Sequence, residues 1–178
     1  MKIGLIRHGK VQHRDPFLTT AEEFEASRKK YYEASIETFK LTISPEAFPV
    51  CYVSSLKRTQ DTAKIIYTGN FITTPELIEI PNRAFFLVHV RIPTFIRSAG
   101  GRIAWFINSK KVPETRKDSN ERAAKFLDSM LKETDKDVLL VTHGFFMKSL
   151  SHELKKRNFK GHLPFSVPNV KLYVFERK

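Results

Sequence analysis

Three short apolar runs constrain this chain more than any other feature. They are Ile3-Gly4-Leu5-Ile6, Val50-Cys51-Tyr52-Val53 and Val138-Leu139-Leu140-Val141. Each is too short for a helix and unbroken by polar residues, which is how a strand buried on both faces reads. The stretches between them carry helical spacing. Residues 20–40 place Phe24, Tyr31, Ile36 and Phe39 on one broad face, with Glu22 and Glu23 suited to a first turn. A helix over 56–67 is expected to be capped by Ser54 and Ser55 and ended by Gly69 or Asn70. A third helix spans 119–133, with Ala123, Phe126, Leu127 and Met130 inward, and a fourth runs from after Gly144 to about Lys156. Residues 71–73 and 170–175 read as further strands, and 76–80 as an extended or turn segment. Strands alternating with helices predict an α/β fold, a three-layer α/β/α arrangement around a mostly parallel sheet. No repeat or linker divides the chain, so residues 1–178 are read as one domain.

In such sheets ligands sit beyond the carboxyl ends of the strands. The three runs lead there into Arg7-His8, into Ser54-Ser55 followed by Arg58, and into His143-Gly144. Taken singly these have ordinary readings: a surface loop, an exposed helix residue, a core or capping histidine. Taken together, two histidines and two arginines at neighbouring strand ends form a dense cationic pocket that suits a dianion such as a phosphoryl group. Guanidinium is a planar fork matched to phosphate oxygens. A neutral imidazole is a nucleophile toward phosphorus, and nearby guanidinium groups favour its neutral form.

Lys and Arg number 31 against 19 Asp and Glu, a formal net charge of +12. That balance favours anionic partners: nucleic acid, acidic membrane surfaces or phosphorylated small molecules. Runs such as Arg28-Lys29-Lys30 and Lys155-Lys156-Arg157 permit nucleic-acid binding, but no binding module accompanies them. Cys51 is a lone cysteine inside an apolar run, read as an inert core thiol. The first apolar run is short and cut by Arg7, unlike a signal peptide. Arginines, Pro93 and the Gly100-Gly101 pair interrupt residues 84–107, so no spanning helix is expected there. These readings predict a cytoplasmic protein that does not partner a membrane.

Leu5-Ile6-Arg7-His8-Gly9 resembles the signature of the histidine phosphatase superfamily, the phosphoglycerate mutase-like family. Val53-Ser54-Ser55-Leu56-Lys57-Arg58-Thr59-Gln60-Asp61-Thr62-Ala63 resembles its second motif and Val141-Thr142-His143-Gly144 its third. The motifs occur in the family's order and span most of the chain. The resemblance implies that His8 is the nucleophile that becomes phosphohistidine. It implies that Arg7 and Arg58 clamp the phosphoryl oxygens and that a protonated His143 completes the clamp. It further implies an acid after the second motif that protonates the leaving oxygen and then activates water. Glu79 is the best match and Glu76 the fallback; Glu79, between Ile78 and Ile80, also reads as the solvent-facing residue of a strand. The family uses no metal in this step. The implied activity is hydrolysis of a small phosphorylated metabolite, with a phosphohistidine protein phosphatase or a phosphomutase as alternatives.

The chain departs from the mutase branch after Gly9. It continues Lys10-Val11-Gln12-His13-Arg14-Asp15, with no asparagine a few positions on, and Glu79 leads into Ile80-Pro81-Asn82-Arg83 rather than a glycine-containing stretch. Both differences favour hydrolysis over mutase transfer. Lys10, His13 and Gly144 are candidate substrate contacts. Residues 84–108 are expected to form one or two short helices broken at the glycine pair. Phe85, Phe86, Phe95, Trp105 and Phe106 are candidates for an apolar cap there, and His89, Arg91 and Arg97 for groups facing a substrate. Gly4 and Gly9 have the wrong spacing for a nucleotide loop, and Val11 follows Lys10. The histidines lack metal-ligand spacing. Outside catalysis, a basic nucleic-acid-binding protein or a silent phospholigand binder are the competing classes.

Overall fold

The computed structural model describes residues 1–84 and 89–178. The central sheet is built from β1 (Lys2–Arg7), β3 (Val50–Ser54), β4 (Ile72–Thr74), β6 (Val138–Thr142) and β7 (Leu172–Glu176), in the spatial order β4-β3-β6-β1-β7. A two-stranded ladder pairs β2 (Leu18–Thr19) with β5 (Ile92–Pro93). The helices are α1 (Ala21–Glu33), α2 (Lys57–Ile66), α3 (Thr94–Phe106), α4 (Arg116–Glu133) and α5 (Phe146–Lys156). β1, β3, β4 and β6 run parallel and β7 is antiparallel to β1, so the sheet is mostly parallel, as the alternating pattern requires.

The unbroken apolar runs are buried on both faces. In β6, Val138 and Leu140 join the core beneath α4 and α5, while Leu139 and Val141 join the core on the α2 side. Each such side chain contributes roughly 1.5–3 kcal/mol of transfer free energy when taken from water. Cys51 lies within the α2-side core, and burial pushes its thiol up to about 12, consistent with an inert group. The two long polar helices start at capping boxes: Thr20 with Glu23 for α1 and Thr115 with Asp118 for α4. Each box satisfies amide groups that the first turn leaves without partners.

Three local expectations change. The helix expected over 20–40 stops at Glu33. The chain then runs extended, with Gln12 N donating to Ser35 O at 2.8 Å and Val11 bridged to Ile36. Ile36 and Phe39 thereby pack on Gly9, where a Cβ would stand 2.7 Å from Phe39 Cε1, so backbone pairing outweighs helical spacing there. The Gly100-Gly101 pair does not break α3. It allows close approach instead: a Cβ on Gly101 would lie 2.5 Å from Asn82 Oδ1 and 2.8 Å from the Arg83 carbonyl. α2 begins after Leu56 with no side-chain cap and ends before Tyr67, so Ser54 and Ser55 are not its caps. Among the described residues no helix is long and apolar enough to cross a membrane.

Candidate active site

β1 leads directly into the first pair of site residues. His8 N donates to Thr142 O at 3.0 Å, continuing the ladder with β6 one residue past the strand. Its peptide is held from two further sides. Asn169 Nδ2 donates to His8 O at 2.6 Å, and Gly9 N donates to Thr62 Oγ1 at 2.8 Å. The imidazole is buried, and its Nδ1 lies 2.7 Å from Gly9 O. A carbonyl can only accept, so Nδ1 carries the proton and Nε2 presents a lone pair. Arg58 Nε donates to that Nε2 at 3.2 Å. Burial first, then the Arg58 and Arg7 charges, lower the His8 pKa to about 3, while the Gly9 bond works the other way. His8 is therefore a neutral imidazole at neutral pH.

His143 follows β6 and lies with its ring centroid 5.1 Å from that of His8. Arg58 Nη2 donates to His143 Nδ1 at 3.1 Å, which leaves Nε2–H to donate to Ser54 Oγ at 2.8 Å. Ser54 thus orients a histidine rather than capping α2. Full burial, then Arg58, hold His143 well below the usual histidine range, so it is neutral here rather than protonated as the sequence reading expected. Arg7 is held from its far side, Nη1 donating to Val167 O at 2.7 Å. Arg7 Nε and Arg58 Nη1 are buried and have no hydrogen-bond partner among the described residues. Buried polar groups in folded proteins are almost always satisfied, so two such N–H groups beside one cavity mark a place for an acceptor.

That cavity has a volume of about 570 Å³ and is lined by Arg7, Arg58, Glu79, Arg102, Gly144 and Lys148, among others. Glu79 is not a solvent-facing strand residue. Its Oε1 accepts from Ile80 N at 2.9 Å and Phe146 N at 3.1 Å, and its Oε2 accepts from Phe145 N at 3.3 Å. The carboxylate therefore sits on the N-terminus of α5, on the cavity wall. Glu76 is exposed and is not part of that wall. Glu79 is the only acid among the described lining residues, against Arg7, Arg58, Arg102, Lys148 and Arg28. Arg28 is already paired with Asp15. The surplus is positive, which attracts and holds anions.

Residues 3–178 match the family model described as the histidine phosphatase superfamily, branch 1.

The chain belongs to the histidine phosphatase superfamily.

Its fold also matches solved structures. One is the product of open reading frame Rv3214 of Mycobacterium tuberculosis, at 18% identity and TM-score 0.60, over 97% of this chain and 89% of that one. Another is a phosphoserine phosphatase of Entamoeba histolytica in complex with 3-phosphoglyceric acid, at 18% identity and TM-score 0.57, over 97% and 89%. A third is a mycobacterial glucosyl-3-phosphoglycerate phosphatase, at 17% identity and TM-score 0.57, over 97% and 88%. At these identities the likeness is one of fold. None of the curated proteins matches the chain.

Within this histidine phosphatase fold, the other sequence candidates divide. Gly144 lines the cavity, and a Cβ there would lie 3.2 Å from both Cδ and Nε of Arg7. Lys10 does not reach the lining; it is exposed and paired with Glu37 at 2.9 Å. His13 is also outside it, with Nε2 3.2 Å from Asp15 Oδ1 and 2.9 Å from Ser27 Oγ. It braces the Asp15 carboxylate that holds Arg28. His89 and Arg91 pair with Glu22 and Glu23, and Arg97 is buried, donating to Thr19 O at 2.9 Å and Val90 O at 2.7 Å. None of these three faces the cavity. Trp105 is core, donating to Ser119 Oγ at 3.0 Å, while Phe95 and Phe106 are largely exposed. Phe85 and Phe86 lie outside the described residues. Among the described residues, no three His, Cys, Asp or Glu side chains gather as metal ligands would.

Several wall residues were not singled out from the sequence. Tyr31 and Tyr32 of α1 lie under Arg58, its Cζ 5.2 Å and 5.1 Å from their ring centroids. Arg102 of α3 stacks on Phe145 at 3.8 Å and donates to Ile80 O at 3.1 Å. Lys148 of α5 donates to Phe165 O at 2.6 Å. The only sequence signal for Arg102 and Lys148 was their being cations on helices that follow the motifs.

Proposed function

We propose that the protein is a phosphomonoesterase that hydrolyses a small phosphorylated metabolite through a phosphohistidine on His8. The observation that carries this reading is the Arg58 guanidinium. It donates to His8 Nε2 at 3.2 Å and to His143 Nδ1 at 3.1 Å, with its Nη1 and the nearby Arg7 Nε left without partners among the described residues. A phosphoryl group in the cavity supplies acceptors for both. Two structural relatives, a phosphoserine phosphatase and a glucosyl-3-phosphoglycerate phosphatase, are in keeping with hydrolysis.

In the proposed reaction an arriving phosphoryl oxygen takes over the Arg58 Nε–H from His8 Nε2, and the freed Nε2 lone pair attacks phosphorus in line with the ester oxygen. The P–O bond breaks, and a proton that the substrate monoanion brings passes through the Glu79 carboxylate to the departing oxygen. The product alcohol leaves and phosphohistidine remains. Water then attacks phosphorus while the Glu79 carboxylate takes its proton. The N–P bond breaks, and orthophosphate departs with that proton, leaving the Glu79 carboxylate as it began. Arg7 and Arg58 neutralise the equatorial oxygens throughout. Neutral His143, fixed between Arg58 Nη2 and Ser54 Oγ, holds the Arg58 guanidinium in place for that contact. The nucleophile and its proton donor are both protein groups, so the sequence asks nothing of a metal.

The test is turnover of p-nitrophenyl phosphate with and without EDTA. Hydrolysis is expected in both, and labelling from a phosphorylated substrate should be acid-labile. His8→Ala should remove turnover and label together. Undiminished turnover in that variant, or loss in EDTA, overturns the mechanism.

A further inference from the structure

A second cavity of about 690 Å³ opens beside the first. The two share four lining residues: Arg102, Phe145, Lys148 and Phe165. Its walls are otherwise a different material. α3 contributes Ala99, Ile103 and Phe106, with Trp105 at the back. Ile103 is 62% exposed, Phe106 59% and Phe165 91%. Large apolar side chains gathered around one groove, in water, mark a place where an apolar group binds. Among the described residues the charged groups at its edge are all basic: Arg102, Arg116 and Lys148. All three already lie over aromatic rings, Arg102 over Phe145 at 3.8 Å, Arg116 over Phe106 at 4.7 Å and Lys148 over Phe165 at 4.0 Å.

We infer that this groove receives the alcohol half of the ester, and that the enzyme takes phosphomonoesters with an apolar alkyl or aryl arm carrying no positive charge. The inference rests on the phosphatase reading of the first cavity. The shared wall makes the argument. A phosphoryl group held by Arg7 and Arg58 must send its ester oxygen away from His8, past Glu79, and the cavity they share with Arg102 and Lys148 continues from there into the groove. A partner protein seated on the same patch would instead cover the four residues that the groove shares with the catalytic cavity. The basic edge rejects an ammonium-bearing arm and tolerates an acidic one.

The experiment measures phosphate release from butyl, hexyl and octyl phosphate, with titration calorimetry of the same esters on His8→Ala protein. Burial of apolar surface makes kcat/KM and affinity rise about two- to fourfold per added methylene. Ile103→Asn and Phe106→Asn should flatten that rise, since both side chains are more than half exposed and polar replacements there leave the core intact. A series flat in chain length, or a slope unchanged in both variants, overturns the inference while leaving p-nitrophenyl phosphate hydrolysis standing. If no ester turns over, the phosphatase reading fails, and the calorimetric slope alone then decides the groove. A change of oligomeric state in Ile103→Asn without any change of slope assigns the patch to a second copy of the chain and also overturns it.

Discussion

Arg58 donates from Nε to Nε2 of His8 at 3.2 Å, the nitrogen that must attack phosphorus. The contact does two things at once. It holds the imidazole in the tautomer with its lone pair outward, and its charge helps burial keep that lone pair unprotonated.

Arg58→Lys should therefore cost far more than a conservative change of charge. An ammonium is a point donor and cannot serve His8, His143 and a phosphoryl oxygen together. Loss of one preorganised donor to a transition-state oxyanion typically costs about 10²–10³ in rate. We expect a fall of that size in kcat on p-nitrophenyl phosphate, and an upward move of the His8 pKa by NMR titration. A loss under about threefold would make Arg58 a packing residue.

Glu79 bonds three backbone amides on the α5 side of the cavity, so it has two readings: proton donor, or anchor of the helix start. Glu79→Gln separates them. The amide keeps an acceptor oxygen but cannot supply the proton. Alkyl phosphates, whose leaving oxygen needs protonation, should lose about 10²–10⁴ in kcat. Aryl phosphates, which leave as phenolates, should lose much less. Equal losses on both classes, measured in parallel, would make the residue an anchor.

The sheet and the four basic site residues were legible because each sits next to its own signal. Arg7 and His8 end one apolar run, His143 another, and Arg58 stands one turn after the Ser54-Ser55 pair. Residue types three to five apart say little about what arrives from elsewhere in the chain. Tyr31 and Tyr32 come beneath Arg58 only because α1 packs near α2, and Arg102 faces the cavity only because Gly101 lets α3 close on Asn82 and Arg83. Ser54 had the right chemistry for a cap and spends it on His143, a choice made across 89 residues of chain. Lys10 was adjacent to the signature, yet its long side chain finds Glu37 at the surface.

Burial of neutral histidines makes stability depend on pH. The His8 pKa is about 3 in the folded protein, against about 6.5 for a histidine in an unfolded chain. Between those values the unfolded chain binds a proton that the folded chain excludes, so stability rises with pH. The contribution is complete above about pH 6.5 and is lost as pH falls toward 3. His143 acts in the same direction. Thermal unfolding should show Tm falling through this window, with His8 contributing on the order of a few kcal/mol. Carboxylates add their own slope near pH 4, so the measurement is the difference between wild type and His8→Ala. Identical slopes in the two proteins would mean that His8 gains its proton without unfolding.

Gly144 lies close beside the Arg7 side chain of the clamp. A Cβ at that position would stand 3.2 Å from both Cδ and Nε of Arg7, tighter than an ordinary contact but short of a hard clash. Arg7 has little room to retreat, because Nη1 is tied to Val167 O at 2.7 Å. Gly144→Ala should shift the guanidinium by a few tenths of an ångström without disturbing the core. Since a displacement of about 1 Å in a positioned group can cost roughly 10² in rate, a fall of about tenfold in kcat/KM is expected. Tm should stay within a degree or two of wild type, and inorganic phosphate should bind more weakly as a competitive inhibitor. Full activity in this variant would show that Arg7 yields to the methyl group and still meets the phosphoryl oxygens, which would move the weight of the clamp onto Arg58.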